Sequence, residues 1–350
     1  MTALTQTRKK QEKNHKPITA NKALWGGILF SLVFVGIIWM LNPLLADVQL
    51  LPDEGSSWYF WKLPEPTFWS RFTAWAGYTL HQIVIWALIY YAQKSKLKYS
   101  NNLHRANILS LAANAFFILL HLLQTHLWYD GLAQDTPIWT SQWSVIILLV
   151  AVLLMENQRR GLFFGKKVGF LKETGRFMRH YHGYLFAWGT IYTFWFHPMV
   201  STQGHLIGFL YTFFLMLQGS LMFTRLHVNR YWMFVQEITV LFHGTMVAVA
   251  TNTHWPMFFF GFASLFIVTQ MHGIGLKRWH KWGFVIAYIV GVVITYSIRG
   301  WAEVHEILRI PIGEYALVFV MALLIWLGLR LTNWLTGSHK PEKTLSVAID

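Results

Sequence analysis

The 350-residue chain has no cysteine. That absence excludes thiolate metal sites, iron–sulfur clusters, disulfides and thiol relays together. Charge is scarce too: Asp, Glu, Lys and Arg make up 13% of the chain, too little to cover a soluble domain of this length. No Gly-rich strand-to-helix turn is present that could seat FAD or NAD. A reductant would have to come from a separate electron-donor protein. No two histidines are adjacent.

What is abundant is apolar surface, with 55% hydrophobic and 17% aromatic residues. Apolar runs of about 20 residues mark membrane helices. The pattern predicts an all-α, polytopic integral membrane bundle with spans near 24–46, 70–93, 104–125, 138–156, 181–200, 205–224, 230–251, 256–276, 281–299 and 314–336. Residues 1–23 and 337–350 are expected as cytoplasmic tails flanking one transmembrane domain, 24–336. Three stretches are expected to lie outside the spans: an outer loop at 47–69 rich in Pro and Trp, an interfacial segment at 161–178, and an outer segment at 300–312.

The net charge of +14 would suit nucleic acid, but its distribution points elsewhere. Under this topology 25 of the 29 Lys and Arg fall on one side of the membrane. That is the positive-inside pattern, so the expected partner is the lipid bilayer and not nucleic acid. Both termini are expected in the cytoplasm, and the inner (plasma) membrane of a bacterium is the expected location.

Histidine supplies the chemistry. Four spans carry one near each end: His104 and His121, His182 and His197, His227 and His243, His254 and His272. Ionisable groups are costly in hydrocarbon, so a His inside a span marks a candidate site. His182 and His197 are 15 residues apart, which separates them by about 22 Å and roughly 60° on a helix. His243 lies at the matching outer depth of the seventh span, with His227 at its inner start.

In the stretch RHYHGYLFAWGTIYTFWFHP the chain resembles ferric-reductase-like and other bis-haem b-type cytochrome transmembrane domains, over residues 179–243 only. The resemblance implies haem b held by paired histidines on two helices. His182 with His227 or His272 would form the inner pair, and His197 with His243 the outer pair. The family's spacing is 13 or 14 residues, against 15 and 16 here. A 16-residue step turns roughly 160°, which puts His227 and His243 on opposite faces unless His227 sits in the loop.

A second constellation lies at the outer ends. HLLQTHLWYDGLAQD contributes His121, His126 and Asp130, and the next outer turns add His197, His205 and His254. Imidazole with carboxylate suits non-haem iron, copper, zinc or manganese, and the HX4H step resembles one box of membrane di-iron desaturases and hydroxylases. Together with His243, these residues place the expected main site in the outer half. Glu237 is a carboxylate deep in a span that could relay protons or orient a ligand; Asp130 is the second candidate acid–base group.

Three functions follow. The first is a membrane-embedded, His-ligated metal oxidoreductase, most simply a b-haem protein carrying electrons across the bilayer to a partner such as a quinone. The second is a non-haem metal enzyme acting on a lipid or lipophilic substrate at the outer face. The third is a proton or cation transporter or channel using Glu237 and buried His.

Overall fold

The computed structural model describes residues 17–52 and 61–336. Most of both expected tails and the centre of the 47–69 loop, with Asp53 and Glu54, lie outside the described residues. Among those described, the regular structure is helical, with ten α-helices of 14 residues or more. They are α1 (Ala20–Leu41), α2 (Phe68–Lys94), α3 (Arg105–Trp128), α4 (Ile138–Arg160) and α5 (Lys172–Phe196), then α6 (Gln203–Ser220), α7 (Arg230–Ala250), α8 (Trp255–Val268), α9 (Arg278–Arg299) and α10 (Arg309–Leu335).

Local chemistry sets the ends. Thr19, Thr67, Thr202 and Asn229 precede α1, α2, α6 and α7, and each side chain accepts from a first-turn backbone N–H. At the start of α3, the His104 N–H donates to Asn107 Oδ1 at 2.7 Å. α4 and α9 stop at Gly161 and Gly300, whose φ values of 79° and 109° suit glycine alone. Pro198 disfavours helix at the preceding residue, and α5 ends there, with His197 extended.

Among the described residues, seven helical segments are long and apolar enough to cross a membrane. They are α1 with its following 3-10 turn, α2, α3, α4, α7, α9, and α10 with its preceding 3-10 turn. The other three, α5, α6 and α8, carry charged or polar ends or are short. They are also the inner helices. α5 packs on α2, α4, α6 and α10, α6 on α1, α3, α5 and α7, and α8 on α7, α9 and α10. A helix surrounded by protein needs less apolarity than one bathed in lipid. Outward faces of α1, α9 and α10 carry exposed Trp, Ile, Leu and Phe, as a lipid solvent requires.

α5 begins at Lys172, nine residues before the expected span, so the end of the 161–178 segment is helix and not a separate interfacial piece. α8 stops at Val268, and residues 270–272 form a 3-10 turn.

Loops that alternate along the chain meet at the same end of the bundle. Ala20 N donates to the Asn101 carbonyl at 2.8 Å, and Arg225 N to the Ser100 carbonyl at 2.9 Å. At the other end Leu63 exchanges two 3.0 Å bonds with the Gln134 amide, and Ser201 N donates to Asn42 Oδ1 at 2.8 Å.

The largest apolar cluster joins α1, α2, α3, α5 and α6 around Phe34, Ile85, Phe117, Phe194 and Trp195. α2 approaches α5 closely at Gly77, where a Cβ would stand 2.2 Å from the Trp195 ring. Trp195 is fully buried, and its Nε1–H donates to His81 Nδ1 at 3.3 Å. Gly77→Ala should therefore lower the thermal stability of the detergent-solubilised protein, by about 1–3 kcal/mol. An unchanged melting temperature would mean that Trp195 swings aside freely.

Candidate functional site

α5, α6, α7, α8 and α10 form a ring: each packs on the next, and α10 returns to α4 and α5. α5 and α7 do not pack along each other. His182, Tyr211, His227 and His243 on these elements and their turns are each partly exposed.

One end of the bundle, expected to be the inner one, brings two of the imidazoles together. His182 and His227 have centroids 5.9 Å apart and planes inclined by 36°. His182 Nδ1–H donates to the Arg179 carbonyl at 2.7 Å, and His227 Nδ1–H to the Gln218 carbonyl at 2.9 Å. The Gln218 amide donates in turn to the His227 carbonyl at 2.9 Å. Both rings thus carry the proton on Nδ1 and leave Nε2 as the free lone pair. This is the arrangement that orients a metal-ligating imidazole. His227 lies in the turn before α7, which begins at Arg230, so the helical 160° step does not separate it from His243's side. His272 is not part of the pair. Its Nε2 faces the Ile267 carbonyl at 3.2 Å, and Lys281 lies 3.5 Å from its Nδ1.

The opposite end gathers four of the seven candidates expected at the outer face. His197 and His205 have centroids 5.1 Å apart, nearly perpendicular, and both interact electrostatically with His243. His121 bonds the His197 carbonyl at 2.8 Å and Gln124 at 3.0 Å, so both its nitrogens are engaged. His205 pairs Nδ1 with Thr202 Oγ1 at 2.6 Å. Its Nε2 is buried with no hydrogen-bond partner among the described residues. The Trp61 ring stands perpendicular to that of His205, with centroids 4.4 Å apart. His243 Nε2 lies against α6 at Gly208, where a Cβ would stand 3.1 Å away. Gly204 and Gly208 form a small-residue seam that lets α6 and α7 approach closely.

The other outer candidates stand apart. His126 directs its nitrogens to the Leu122 and Leu41 carbonyls. His254 is exposed at the start of α8. Asp130 is buried and ion-paired with Arg71 at 2.6 Å. Asp135 also bonds Arg71, and Trp75 Nε1–H donates to it at 2.8 Å. Among the described residues no group of three or more His, Asp or Glu is arranged to hold a metal ion.

Glu237 is buried and ion-paired with Arg160 at 2.6 Å, tying the end of α4 to α7. Two buried groups had no conspicuous signal in sequence. His81 on α2 donates from Nε2 to Asn114 Oδ1 at 2.8 Å, accepts from Trp195, and stacks on Phe117 at 4.3 Å. Arg160 belongs to a basic run, and the signal for its burial is Glu237, a carboxylate inside a span that requires a cation.

A cavity of about 360 Å³ bounded by Trp39, Met40, Asn42, Pro43 and Ser201 holds no charged or His side chain. Comparison with family models, curated proteins and solved structures finds no match to the chain.

The loop of Asp130 and Asp135 has its own pH dependence. Burial pushes the Asp135 carboxyl up, but bonds from Arg71 and Trp75 and the Arg71 charge outweigh it, so its pKa falls below the usual value. The stability it contributes is present above the unfolded-state pKa of about 3.9 and is lost as pH falls through the folded value. Asp135→Asn should lower the melting temperature more at pH 7 than near pH 3, because the deficit shrinks as the folded carboxyl protonates. An equal deficit at both would assign the loss to packing.

Proposed function

We propose that the protein is a multi-pass membrane redox protein whose inner histidine pair, His182 and His227, holds a b-type haem between α5 and the turn before α7. The paired rings with Nδ1 anchored and Nε2 free carry this reading. His182 and His227, with ring centroids 5.9 Å apart, would hold the iron through their open Nε2 atoms. Haem would bring its own donors to the iron, so two protein histidines would complete the set. A bare iron, copper or zinc ion needs three or more protein ligands, and no such group occurs among the described residues. Partly uncovered surface on His182 and His227 fits a site with room beside it.

The haem would supply one-electron transfer. The chain's contribution is orientation and exclusion of water. The Arg179 and Gln218 carbonyls fix the tautomer and raise the basicity of Nε2. The outer group, with His205 Nε2 unpaired and His197 and His243 beside it, is the second level, about 22 Å from the first along α5. A quinone or other lipophilic acceptor and a separate donor protein would complete the electron path. Glu237, ion-paired with Arg160, holds α4 to α7 in this reading and takes no part in proton relay.

Purified protein is expected to show a Soret band with stoichiometric haem. His182→Ala and His227→Ala should each remove it from the inner site, while His180→Ala should be nearly silent. Absence of a Soret band, or haem content unchanged in both inner variants, sinks the reading.

The topology we propose has ten spans, both ends cytoplasmic, in a bacterial inner membrane. It rests on the 25-to-4 split of basic residues and on the loops that meet at common ends. Reporters fused after Lys96 and Thr336 should both report cytoplasm, and one after Asp135 the opposite side. Lys96 and Thr336 on different sides would refute the count.

A further inference from the structure

The turn after α8 collects positive charge that the haem reading does not use. Arg159 Nη1–H donates to the Gly273 carbonyl at 3.1 Å. Arg160 Cδ comes within 3.0 Å of where a Cβ on Gly273 would stand. Two residues on, Arg230 Nη1 comes within 2.9 Å of the corresponding point on Gly275, whose φ of 85° belongs to glycine. Lys281 closes the group at His272. The glycines keep side chains out of the turn, so guanidinium groups from α4 and α7 reach its backbone.

The charges do not balance. Glu156 pairs with Arg159 and Glu237 with Arg160. Arg230 and Lys281 have no carboxylate partner among the described residues. Cations held this close repel, most strongly where solvent is excluded. Arg160 adds a more specific sign. Glu237 takes only Nη1, while Nε and Nη2 are buried without a hydrogen-bond partner. That Nε–Nη2 edge presents two parallel N–H groups, the geometry that grips an oxoanion in bidentate fashion.

We propose that this turn binds a phosphate group, delivered by the headgroup of an anionic membrane lipid. Its surroundings favour the lipid source. Trp279, Trp282 and Tyr231 stand exposed nearby in sequence, and such rings anchor at the headgroup level. Arg230 is exposed, and the basic end of the bundle attracts anionic lipid. The site is independent of the haem pair, so either can fail without the other.

The test uses delipidated full-length protein in detergent, titrated with short-chain phosphatidylglycerol and, separately, with inorganic phosphate. Phosphatidylglycerol should bind saturably, and Arg230→Gln should weaken it by about tenfold. Arg159→Gln should act in the same direction, and the exposed control Lys172→Gln should not. Arg230 is outside the core, so its variant remains folded and interpretable. Inorganic phosphate binding with the same losses would keep the site and make its source soluble. No saturable binding of either probe, or binding that Arg230→Gln and Arg159→Gln leave unchanged, overturns the proposal.

Discussion

A polar atom inside a membrane bundle has only protein to bond to, and that constraint governs where these helices meet. Arg160 and Glu237 are the strongest case. Either alone would carry an uncompensated charge in a low-dielectric interior; together they join the end of α4 to α7. Arg71 does the same at the opposite end, holding α2 to the loop of Asp130 and Asp135. Neutral groups follow the rule. Asn107 bonds the Ser220 and Met222 carbonyls, and Asn114 bonds Ser220 Oγ, fixing α3 to the end of α6.

The same rule sorts the histidines. A ring with both nitrogens engaged by protein is a structural connector. His81 and His121 are of this kind, one linking α2 to α3 and α5, the other linking α3 to the His197 carbonyl. A ring with one nitrogen fixed and the other open has spare binding capacity. His182, His227 and His205 are of this kind. Density of His in the sequence does not separate the two classes, because the separation depends on carbonyls and amides from other helices.

The sequence determined the solvent. Apolar runs and scarce charge make a helical bundle, and among the described residues seven helical segments are long and apolar enough to cross a membrane. It also named His182, His197, His205, His227 and His243, since a His amid apolar residues stands out without any partner being known. Helix ends were less legible. The basic first turns of α5 are helix because they pack against α4, a contact that local composition does not reveal.

Tertiary structure decided the pairing. His227 joins His182 because it lies in a turn, free of the helical azimuth that spacing alone imposes. His272 points to the Ile267 carbonyl instead, and His126 and Asp130 are spent on a carbonyl and on Arg71. Glu237 was visible as a buried carboxylate, but its meaning depended on Arg160, 77 residues away. Periodicity and composition report one residue's solvent; which nitrogen or oxygen meets which depends on helices that touch only after the chain has folded.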